Sequence, residues 1–269
     1  MPELPEVETI ARKLNASLAG SRILSVDLRW ERSLAEPSPA EFTRRLNGQT
    51  FEQVSRRGKF LHLSLSADHM LIHLRMSGDL QVVSGVHLPE KHDRLVLDLS
   101  GDRCLVFNDT RKFGRIWLVK DPDQVLGKLG PEPLADDLTV QVFQKRLGER
   151  HRQLKPLLLD QTFLAGLGNI YTDEVLHIAK LHPCLLSDSL SEAQVEKLWL
   201  AIRDILQEGI RRKGSSFDRV YRGGDFQNHF RVYGRAGLVC PVCGTTIERM
   251  LVGQRSTHFC PNCQPGKDG

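Results

Sequence analysis

Residues 240–263 read CPVCGTTIERMLVGQRSTHFCPNC, and this stretch decides the fold of the C-terminal end of the chain. Sixteen residues separate its two Cys-x-x-Cys pairs, Cys240 with Cys243 and Cys260 with Cys263. Two such pairs on hairpin turns place four thiolates around one zinc ion, and four sulfur ligands leave no open position for water. We therefore expect a structural zinc ribbon that takes much of its folding free energy from the metal. The alternatives are two disulfides or accidental spacing.

The segment between the cysteine pairs predicts a β-hairpin with Gly253 at its tip. Over residues 230–263 a single acidic residue, Glu248, stands against four arginines, which are Arg231, Arg235, Arg249 and Arg255. A basic hairpin held by zinc is suited to placing an arginine against phosphates. The alternative is an ordinary solvated surface.

The bulk composition excludes several classes of protein. The 269 residues are 40% hydrophobic and 26% charged, as expected for a globular protein of two domains. A net charge of +4 favours a polyanionic partner only weakly. No apolar run is long enough to cross a membrane, and the acidic, proline-rich start is unlike a secretory signal, so we expect a cytoplasmic protein.

Hydrophobic periodicity predicts an α+β fold that begins with a β-sandwich domain. Apolar residues recur at helical spacing over residues 1–20, and Gly20 is suited to stop that helix. Short alternating runs then predict strands, with Ser100-Gly101-Asp102 as a hairpin loop. The predicted strands are Arg22–Trp30, Phe60–Leu65, Leu71–Leu74, Leu95–Leu99 and Cys104–Phe107.

A linker over Gly127–Leu134 separates this domain from a helical segment. The predicted helices are Thr139–Leu147, Lys155–Gln161, Tyr171–Ala179 and Glu192–Arg212. Ser191 and Gln194 predict a capping box for the last of them. We place the domains at residues 1–130, 131–235 and 236–269.

The N-terminus offers a candidate nucleophile. A small second residue such as Pro2 generally permits removal of Met1, which leaves a secondary amine on the proline. An α-amino group has a pKa near 8, so a useful fraction is unprotonated at neutral pH and is able to attack a sugar carbon. Glu3 is then placed to exchange protons and Glu6 to steady the site. The alternative is that Pro5 and the acidic residues simply begin a helix.

Seven motifs and the zinc ribbon together resemble the bacterial formamidopyrimidine-DNA glycosylase family over nearly the whole chain, in order. The motifs are PELPEVE at residues 2–8, RRGKF at 56–60, HLRMSG at 73–78, NDTRKFG at 108–114, LGPEPL at 129–134, GLGNIY at 166–171 and VYGR at 232–235. The resemblance implies an N-terminal β-sandwich domain with flanking helices, a C-terminal domain with a helix–two-turn–helix element and a zinc finger, and DNA in a cleft between them. It also implies a monomer that acts in the bacterial cytoplasm, at the nucleoid.

The resemblance assigns roles by position. Pro2 is the nucleophile that displaces a damaged base and forms a Schiff base, Glu3 the acid–base residue, and Lys59 the lysine near the lesion; Glu6 and Arg255 complete the catalytic group. On the bare sequence a solvated turn lysine is the better interpretation of Lys59. The implied substrate is duplex DNA that carries an oxidised purine or an abasic site, with the nucleotide flipped out and the strand cut by β,δ-elimination.

Further positions resemble DNA contacts of the family. Met76, Arg111 and Phe113 resemble residues that fill the hole left by the flipped nucleotide, although Met76 and Phe113 would also suit an ordinary core. Asn169 resembles a phosphate ligand at a helix start, or it caps its own helix. The remaining implied contacts are His73, His92, Lys155 and Tyr233.

Thr110, Lys112 and the segment Arg219–His229 depart from the family pattern. Thr110 and Lys112 replace the usual proline and arginine, and Arg219–His229 is shorter than the loop over the flipped purine in many relatives. Two rival functions remain open. One is an endonuclease-eight-like glycosylase for oxidised pyrimidines, although the PELPEVE spelling favours the purine branch. The other is a zinc-ribbon protein that binds DNA without catalysis.

Overall fold

The computed structural model describes residues 1–216 and 223–266. The chain divides into two compact units, of which the first comprises Met1–Lys128 and Ser215–Gly224. The second unit comprises Leu129–Gly214 and Asp225–Gly269. The boundary at Lys128 falls inside the predicted linker.

The first unit is a β-sandwich with helices. Its elements are α1 (Leu4–Leu18), β1 (Ile23–Leu28), β2 (Leu34–Glu36), α2 (Pro39–Leu46), β3 (Phe51–Arg57), β4 (Phe60–Leu65), β5 (His69–His73), β6 (Gly78–Ser84), β7 (Asp93–Leu99), β8 (Arg103–Asp109), β9 (Arg115–Val119) and α3 (Asp123–Leu126). One sheet has the order β1-β7-β8-β6 and the other β2-β9-β5-β4-β3. All neighbouring strands are antiparallel except β2 and β9. The predicted β-sandwich is confirmed.

Strand alternation builds the core between the two sheets. In β4, Leu61, Leu63 and Leu65 are buried in one hydrophobic cluster that also contains inward residues of the other sheet, such as Leu105 and Phe107. The apolar face of α1 joins the same cluster, as its helical spacing predicts. The helix is followed by Gly20, whose φ of +80° is the left-handed conformation that glycine adopts without strain.

Four strands and two helices of this unit are not among the sequence predictions. They are β2, β3, β6, β9, α2 and α3. The pattern of β3 is irregular because a bulge shifts its register between Phe51 and Gln53, so its apolar residues do not alternate cleanly. α2 is only eight residues long, yet it carries a readable start signal, with Ser38 as N-cap and Pro39 at the first helical position.

The second unit is helical, with a two-stranded hairpin at its end. Its elements are α4 (Val140–Gly148), α5 (Leu154–Leu159), α6 (Asn169–Ala179), α7 (Glu192–Arg211), β10 (Glu248–Val252) and β11 (Arg255–Phe259). All four predicted helices are present within two residues of their expected limits, and the capping box of Ser191 and Gln194 is formed. Short 3₁₀ turns lie at Ser187–Ser189 and Phe226–His229 in this unit and at Glu31–Ser33 in the first unit. Among the described residues no helix is long and apolar enough to cross a membrane.

Candidate active site and zinc centre

The N-terminal residues are fixed at the start of α1. Pro2, Glu3 and Glu6 are all buried, the two carboxyl side chains at 2% and 3% exposure. Glu6 Oε2 accepts the backbone N–H of Glu3 at 2.8 Å, and Glu6 Oε1 accepts that of Ser215 at 2.6 Å. One carboxylate therefore holds the chain directly beside Pro2 and ties it to a remote segment. The helix-start interpretation accounts for Pro5, whereas it does not require Glu6 to bind Ser215.

Lys59 occupies the tight turn between β3 and β4. Gly58 takes a φ of +56° there, and Arg57 pairs with Phe60 across the turn. Hairpin tips are normally solvated, yet Lys59 is only 6% exposed. The alternative of a solvated turn lysine is therefore wrong. A buried ammonium at a hairpin tip is an expensive arrangement and is typical of a functional position.

His73 lies at the end of β5 and is neutral at physiological pH. Burial, together with the positive charges of Arg75 and Lys59, lowers its pKa to about 3. Its Nδ1 accepts the backbone N–H of Arg75 at 3.0 Å, so the single ring proton is on Nε2. The residue is therefore suited to donate one hydrogen bond to a phosphate oxygen and not to supply a positive charge.

Met76, Arg111 and Phe113 are exposed on two loops that precede β6 and follow β8. Met76 is 42% exposed and Phe113 50% exposed, so the alternative that they belong to the core is wrong. The Arg111 guanidinium carbon lies 4.8 Å from the centroid of the Phe113 ring, a cation–π contact. Large apolar side chains held out of the core are suited to enter a space vacated in a DNA stack.

His92 is half-buried in the loop before β7. Its backbone oxygen accepts the N–H of Asp109 at 2.9 Å, and its Nδ1 lies 3.4 Å from the guanidinium of Arg94. The loop that carries His92 is thus joined to the end of β8, next to the loop that carries Arg111.

In the second unit, Lys155 lies in α5 with no exposed surface. Its Nζ donates to Asp173 Oδ1 at 2.6 Å and to the backbone oxygen of Ser256 at 2.8 Å. This burial leaves no surface for a direct contact with DNA, which corrects that expectation. Lys155 instead holds the hairpin residue Ser256 against α6.

Asn169 is the first residue of α6, and Gly168 is the N-cap. The alternative that Asn169 caps its own helix is therefore wrong. Its Nδ2 donates to the backbone oxygen of Ser256 at 2.9 Å, and its Oδ1 is a buried atom without a hydrogen-bond partner among the described residues. The start of α6 and the zinc hairpin thus share Ser256 as a common point.

Arg255 and Tyr233 lie in the C-terminal segment that contains the zinc site. Arg255 is exposed at the first position of β11, opposite Val252, after the turn Gly253-Gln254. Both turn residues have positive φ, which is typical of a tight two-residue hairpin turn and confirms the predicted tip. Tyr233 is half-buried, and its ring meets that of His258 edge to face at 5.2 Å.

Glu174 is a functional candidate that the sequence patterns did not reveal. It is fully buried in α6, and its carboxylate accepts the backbone N–H groups of Arg231, Val232 and Tyr233 at 2.8–3.0 Å. Burial raises the pKa of this carboxyl, while the three N–H donors oppose that effect. The signal in the sequence is the pair of adjacent acidic residues, Asp173 and Glu174, inside a helical stretch that also contains several large apolar residues.

The four clustered cysteines meet the requirements of a zinc site. Their Sγ atoms all lie within 4.8 Å of one another, with Cys240 to Cys263 at 3.9 Å and Cys243 to Cys260 at 3.4 Å. A tetrahedral ion with bonds of about 2.3 Å places its sulfur ligands roughly 3.8 Å apart. The cysteines are free thiols, so the disulfide alternative is wrong and the zinc prediction is confirmed.

The surroundings of this site fit a structural metal. Cys240 and Cys260 are buried against Val232 and Ile247. His177 of α6 places its Nε2 3.4 Å from Cys240 Sγ, a contact that orients the ligand and that the sequence patterns did not predict. The segment Arg219–His229, whose shortness bears on the substrate, lies in its first part, residues 219–222, outside the described residues.

Three protein-family models match successive parts of the chain. Residues 1–116 match the formamidopyrimidine-DNA glycosylase N-terminal domain, residues 129–220 the H2TH domain of the same enzyme, and residues 237–266 a zinc finger found in this enzyme and in isoleucyl-tRNA synthetases. A formamidopyrimidine-DNA glycosylase of Chloroflexus aurantiacus is 47% identical over 98% of both chains. That of Pelotomaculum thermopropionicum is 42% identical over 99% of this chain and 100% of its own.

Solved structures give the same result. The Lactococcus lactis enzyme bound non-covalently to DNA with an abasic site has a TM-score of 0.91 at 39% identity, and a mutant of it with DNA that contains Fapy-dG has a TM-score of 0.92 at 39% identity. Each match covers 98% of this chain and 100% of the other. With the zinc ligands and the buried N-terminal residues in place, the chain belongs to the formamidopyrimidine-DNA glycosylase family.

Proposed function

We infer that this chain is a bifunctional DNA glycosylase and abasic-site lyase of base excision repair. It excises oxidised purines, such as 8-oxoguanine and formamidopyrimidines, and then cuts the strand. Its relatives carry the formamidopyrimidine-DNA glycosylase name over full length, and solved relatives hold DNA with Fapy-dG or an abasic site. The observation that carries the inference is the fixed N-terminus, where Glu6 binds the backbone N–H groups of Glu3 and Ser215.

The chemistry begins at Pro2. After Met1 is removed, the lone pair of the proline nitrogen attacks C1′ of the flipped nucleotide, and the glycosidic bond breaks with its electron pair leaving on the protonated base. Opening of the sugar ring then gives an iminium joined to the enzyme. Elimination of first the 3′ and then the 5′ phosphate removes the sugar, and water releases it from Pro2.

Glu3 and Lys59 serve this sequence of steps. Glu3 is the next residue in the chain and is buried beside Pro2, so its carboxyl group is placed to donate a proton to the sugar as the base leaves and the ring opens. Burial of Lys59 at 6% exposure strengthens any interaction of its ammonium with a phosphate or with the damaged base. Glu6 acts on the backbone and not on the substrate.

Each unit carries groups that are suited to hold duplex DNA. His73 donates to a phosphate as a neutral imidazole, and His92 adds a second contact of the first unit. Asn169, at the start of α6, and the exposed Arg255 bind phosphates, with Tyr233 beside them. Met76, Arg111 and Phe113 occupy the hole in the stack, and Arg111 faces the orphaned base. Because its substrate is chromosomal DNA, the enzyme works in the bacterial cytoplasm, at the nucleoid.

The names of the relatives favour the purine branch over the endonuclease-eight-like alternative. The chain is 47% identical to a protein named formamidopyrimidine-DNA glycosylase, and it keeps the PELPEVE start. A panel of duplexes with one defined lesion each separates the two branches. Faster release of oxidised pyrimidines than of 8-oxoguanine would contradict the proposal.

Borohydride trapping tests the catalytic proposal against mere DNA binding. Reduction in the presence of DNA with an abasic site should join the wild-type protein covalently to the DNA, because the iminium becomes a stable amine. We expect Pro2→Gly to lose most strand cleavage, about a thousandfold or more, since the secondary amine is gone. Glu3→Gln should bind DNA and fail in base removal.

Two results would contradict this assignment. A mass spectrum that shows retained Met1 in the active protein would leave Pro2 without a free amine. Normal turnover by Glu3→Gln would remove the role given to Glu3. Arg44→Gln, an exposed residue of α2, serves as the control for substitution in the same unit and should cleave like the wild type.

A further inference from the structure

Asp109, the last residue of β8, is a buried carboxylate to which the proposed mechanism gives no role. It is 1% exposed. A buried charge is costly unless hydrogen bonds satisfy it, so its partners indicate what it stabilises. Those partners belong to the two loops that carry Met76, Arg111 and Phe113.

Each carboxylate oxygen of Asp109 binds a different part of these loops. Oδ1 accepts the hydroxyl of Ser77 and the backbone N–H of Arg111, the latter at 3.1 Å. Oδ2 accepts the backbone N–H of Gly114 at 2.7 Å. The Ser77 hydroxyl oxygen also accepts the Arg111 N–H at 3.1 Å. Ser77 follows Met76 in the chain, so one side chain joins the Met76 loop to both ends of the segment 111–114.

The backbone of Asp109 extends the network to a third loop. Its N–H donates to the backbone oxygen of His92 at 2.9 Å, and its own oxygen accepts Nε of the buried Arg94 at 2.8 Å. Asp109 of β8 pairs with Gly78 of β6, which fixes the register of these two strands. All of these groups lie within the first unit.

Two glycines make the close approach possible. A Cβ at Gly114 would lie 2.4 Å from Cζ of Phe107 and 3.2 Å from Oδ2 of Asp109. A Cβ at Gly78 would lie 2.5 Å from the backbone oxygen of Leu74. Larger residues at either position would separate the loops from the carboxylate.

We propose that Asp109 is a positioning residue that holds Met76, Arg111 and Phe113 in one arrangement, ready to fill the hole left by the flipped nucleotide. The inference rests on the proposed function, since the role of those three side chains belongs to it. Exposed side chains on unsupported loops lose conformational entropy when they insert, and loops ordered beforehand avoid much of that cost. The buried carboxylate orders the loops through hydrogen bonds and leaves the side chains at their tips exposed.

A carboxylate is required at this position because donors approach both of its oxygens. Asn has the same shape, but one of its two terminal atoms is an NH₂ group, which donates and does not accept. In Asp109→Asn that group must face either Gly114 N–H or the donors from Ser77 and Arg111. One loop therefore loses its hydrogen bond and meets a second donor in its place.

The test compares one abasic-site oligonucleotide in duplex and in single-stranded form. Only the duplex has an orphaned base and a hole to be filled. We expect Asp109→Asn to lower the ratio of duplex to single-strand cleavage about 10- to 100-fold, because opposing two buried donors has a cost of this order. Fluorescence of 2-aminopurine beside the orphaned position should rise less with the variant than with the wild type.

Asp98→Asn is the matched control, since Asp98 lies in β7 and binds Ser25 and Cys104 away from these loops. It should leave the ratio unchanged. If Asp109→Asn fails to fold, Ser77→Ala removes one bridge without isolating a charge and should change the ratio in the same direction by a smaller factor. An equal loss on both substrates, or an unchanged ratio with either variant, would overturn the proposal. Failure of the wild type to form a borohydride-trapped complex with the abasic-site duplex would instead overturn the proposed function.

Discussion

The loops of the β-sandwich and the hairpin of the helical unit both carry exposed basic and apolar groups that we propose meet DNA, but different interactions hold them. The β-sandwich loops rest on a hydrophobic cluster that includes residues of both sheets and of α1. The hairpin segment has, among the described residues, a buried cluster of Val232, Cys240, Ile247 and Cys260. Two of those four residues are zinc ligands, so the metal replaces a core that the short segment does not provide.

In both units, buried charged side chains also hold loops and chain ends in place through hydrogen bonds to the backbone. In the sandwich, Glu6 and Asp109 each accept backbone N–H groups and so fix the chain ends and loops around the site. In the helical unit, Glu174 binds three consecutive backbone N–H groups, and Lys155 with Asp173 fixes Ser256. Carboxylates that bind backbone orient the proposed functional side chains without occupying the surface that we propose meets DNA. The units therefore differ in what supports their loops and agree in how they orient them.

Removing zinc should have the largest effect on DNA binding and should confirm this difference. Chelation, or Cys260→Ser, is expected to unfold the hairpin that carries Arg255 and to weaken duplex binding about 100-fold, because a structural zinc supplies most of the folding free energy of such a segment. The affinity should be measured by titration of labelled duplex at fixed salt, since phosphate contacts make it strongly salt-dependent.

Two controls make the zinc experiment specific. Cys184→Ser alters a half-buried thiol of the same unit outside the metal cluster and should bind DNA normally. At saturating enzyme, cleavage by the zinc-free protein should recover in large part, because the cluster lies in the second unit and the N-terminal residues belong to the first. Full affinity after verified loss of zinc would show that the hairpin has support other than the metal.

Breaking the buried ion pair of Lys155 should have the largest effect on the stability of the fold. Lys155 and Asp173 are both fully buried, so Lys155→Met leaves the Asp173 charge without its cation and is expected to cost about 3–5 kcal/mol of stability. Urea unfolding monitored by far-UV circular dichroism measures the change. Lys145→Met, at an exposed position of α4, is the matched control and should cost less than about 0.5 kcal/mol.

A double variant distinguishes loss of charge pairing from loss of packing. Asp173→Asn removes the isolated charge, while the amide oxygen still accepts the N–H of His258 that Asp173 Oδ2 binds at 2.9 Å. Combined with Lys155→Met, it should recover part of the lost stability, because no uncompensated charge remains. Strictly additive losses would show that the two side chains do not stabilise each other.

The sequence predicted elements well where the information is local. The helix starts at Ser191 and Asn169, the turn at Gly253 and the metal cluster depend on residues close together in the chain, and each is where the pattern indicated. Buried charges could not be predicted in this way. The hydrogen-bond partners of Glu174 lie 57–59 residues away in the chain, and Ser256 lies 101 residues from Lys155. Only the tertiary structure therefore shows whether such a side chain is solvated.

The smallest predicted effect concerns His73, a buried imidazole that stays neutral in the folded protein and therefore makes stability depend on pH. The pKa of His73 is about 3 in the folded protein, because burial and the charges of Arg75 and Lys59 oppose protonation, against about 6.5 in an unfolded chain. The unfolded state therefore binds more protons between these values, and stability falls as the pH falls through this window. From pH 7 to pH 5 the loss of stability from this residue is up to about 2 kcal/mol.

His73→Gln keeps an acceptor for Arg75 N–H without a titrating group, so its urea midpoint should fall less than that of the wild type over the same interval. His151→Gln, an exposed histidine of the second unit, should follow the wild type. If His73→Gln shows the full pH dependence, the imidazole is protonated in the folded protein, and its contact with DNA would be that of a cation.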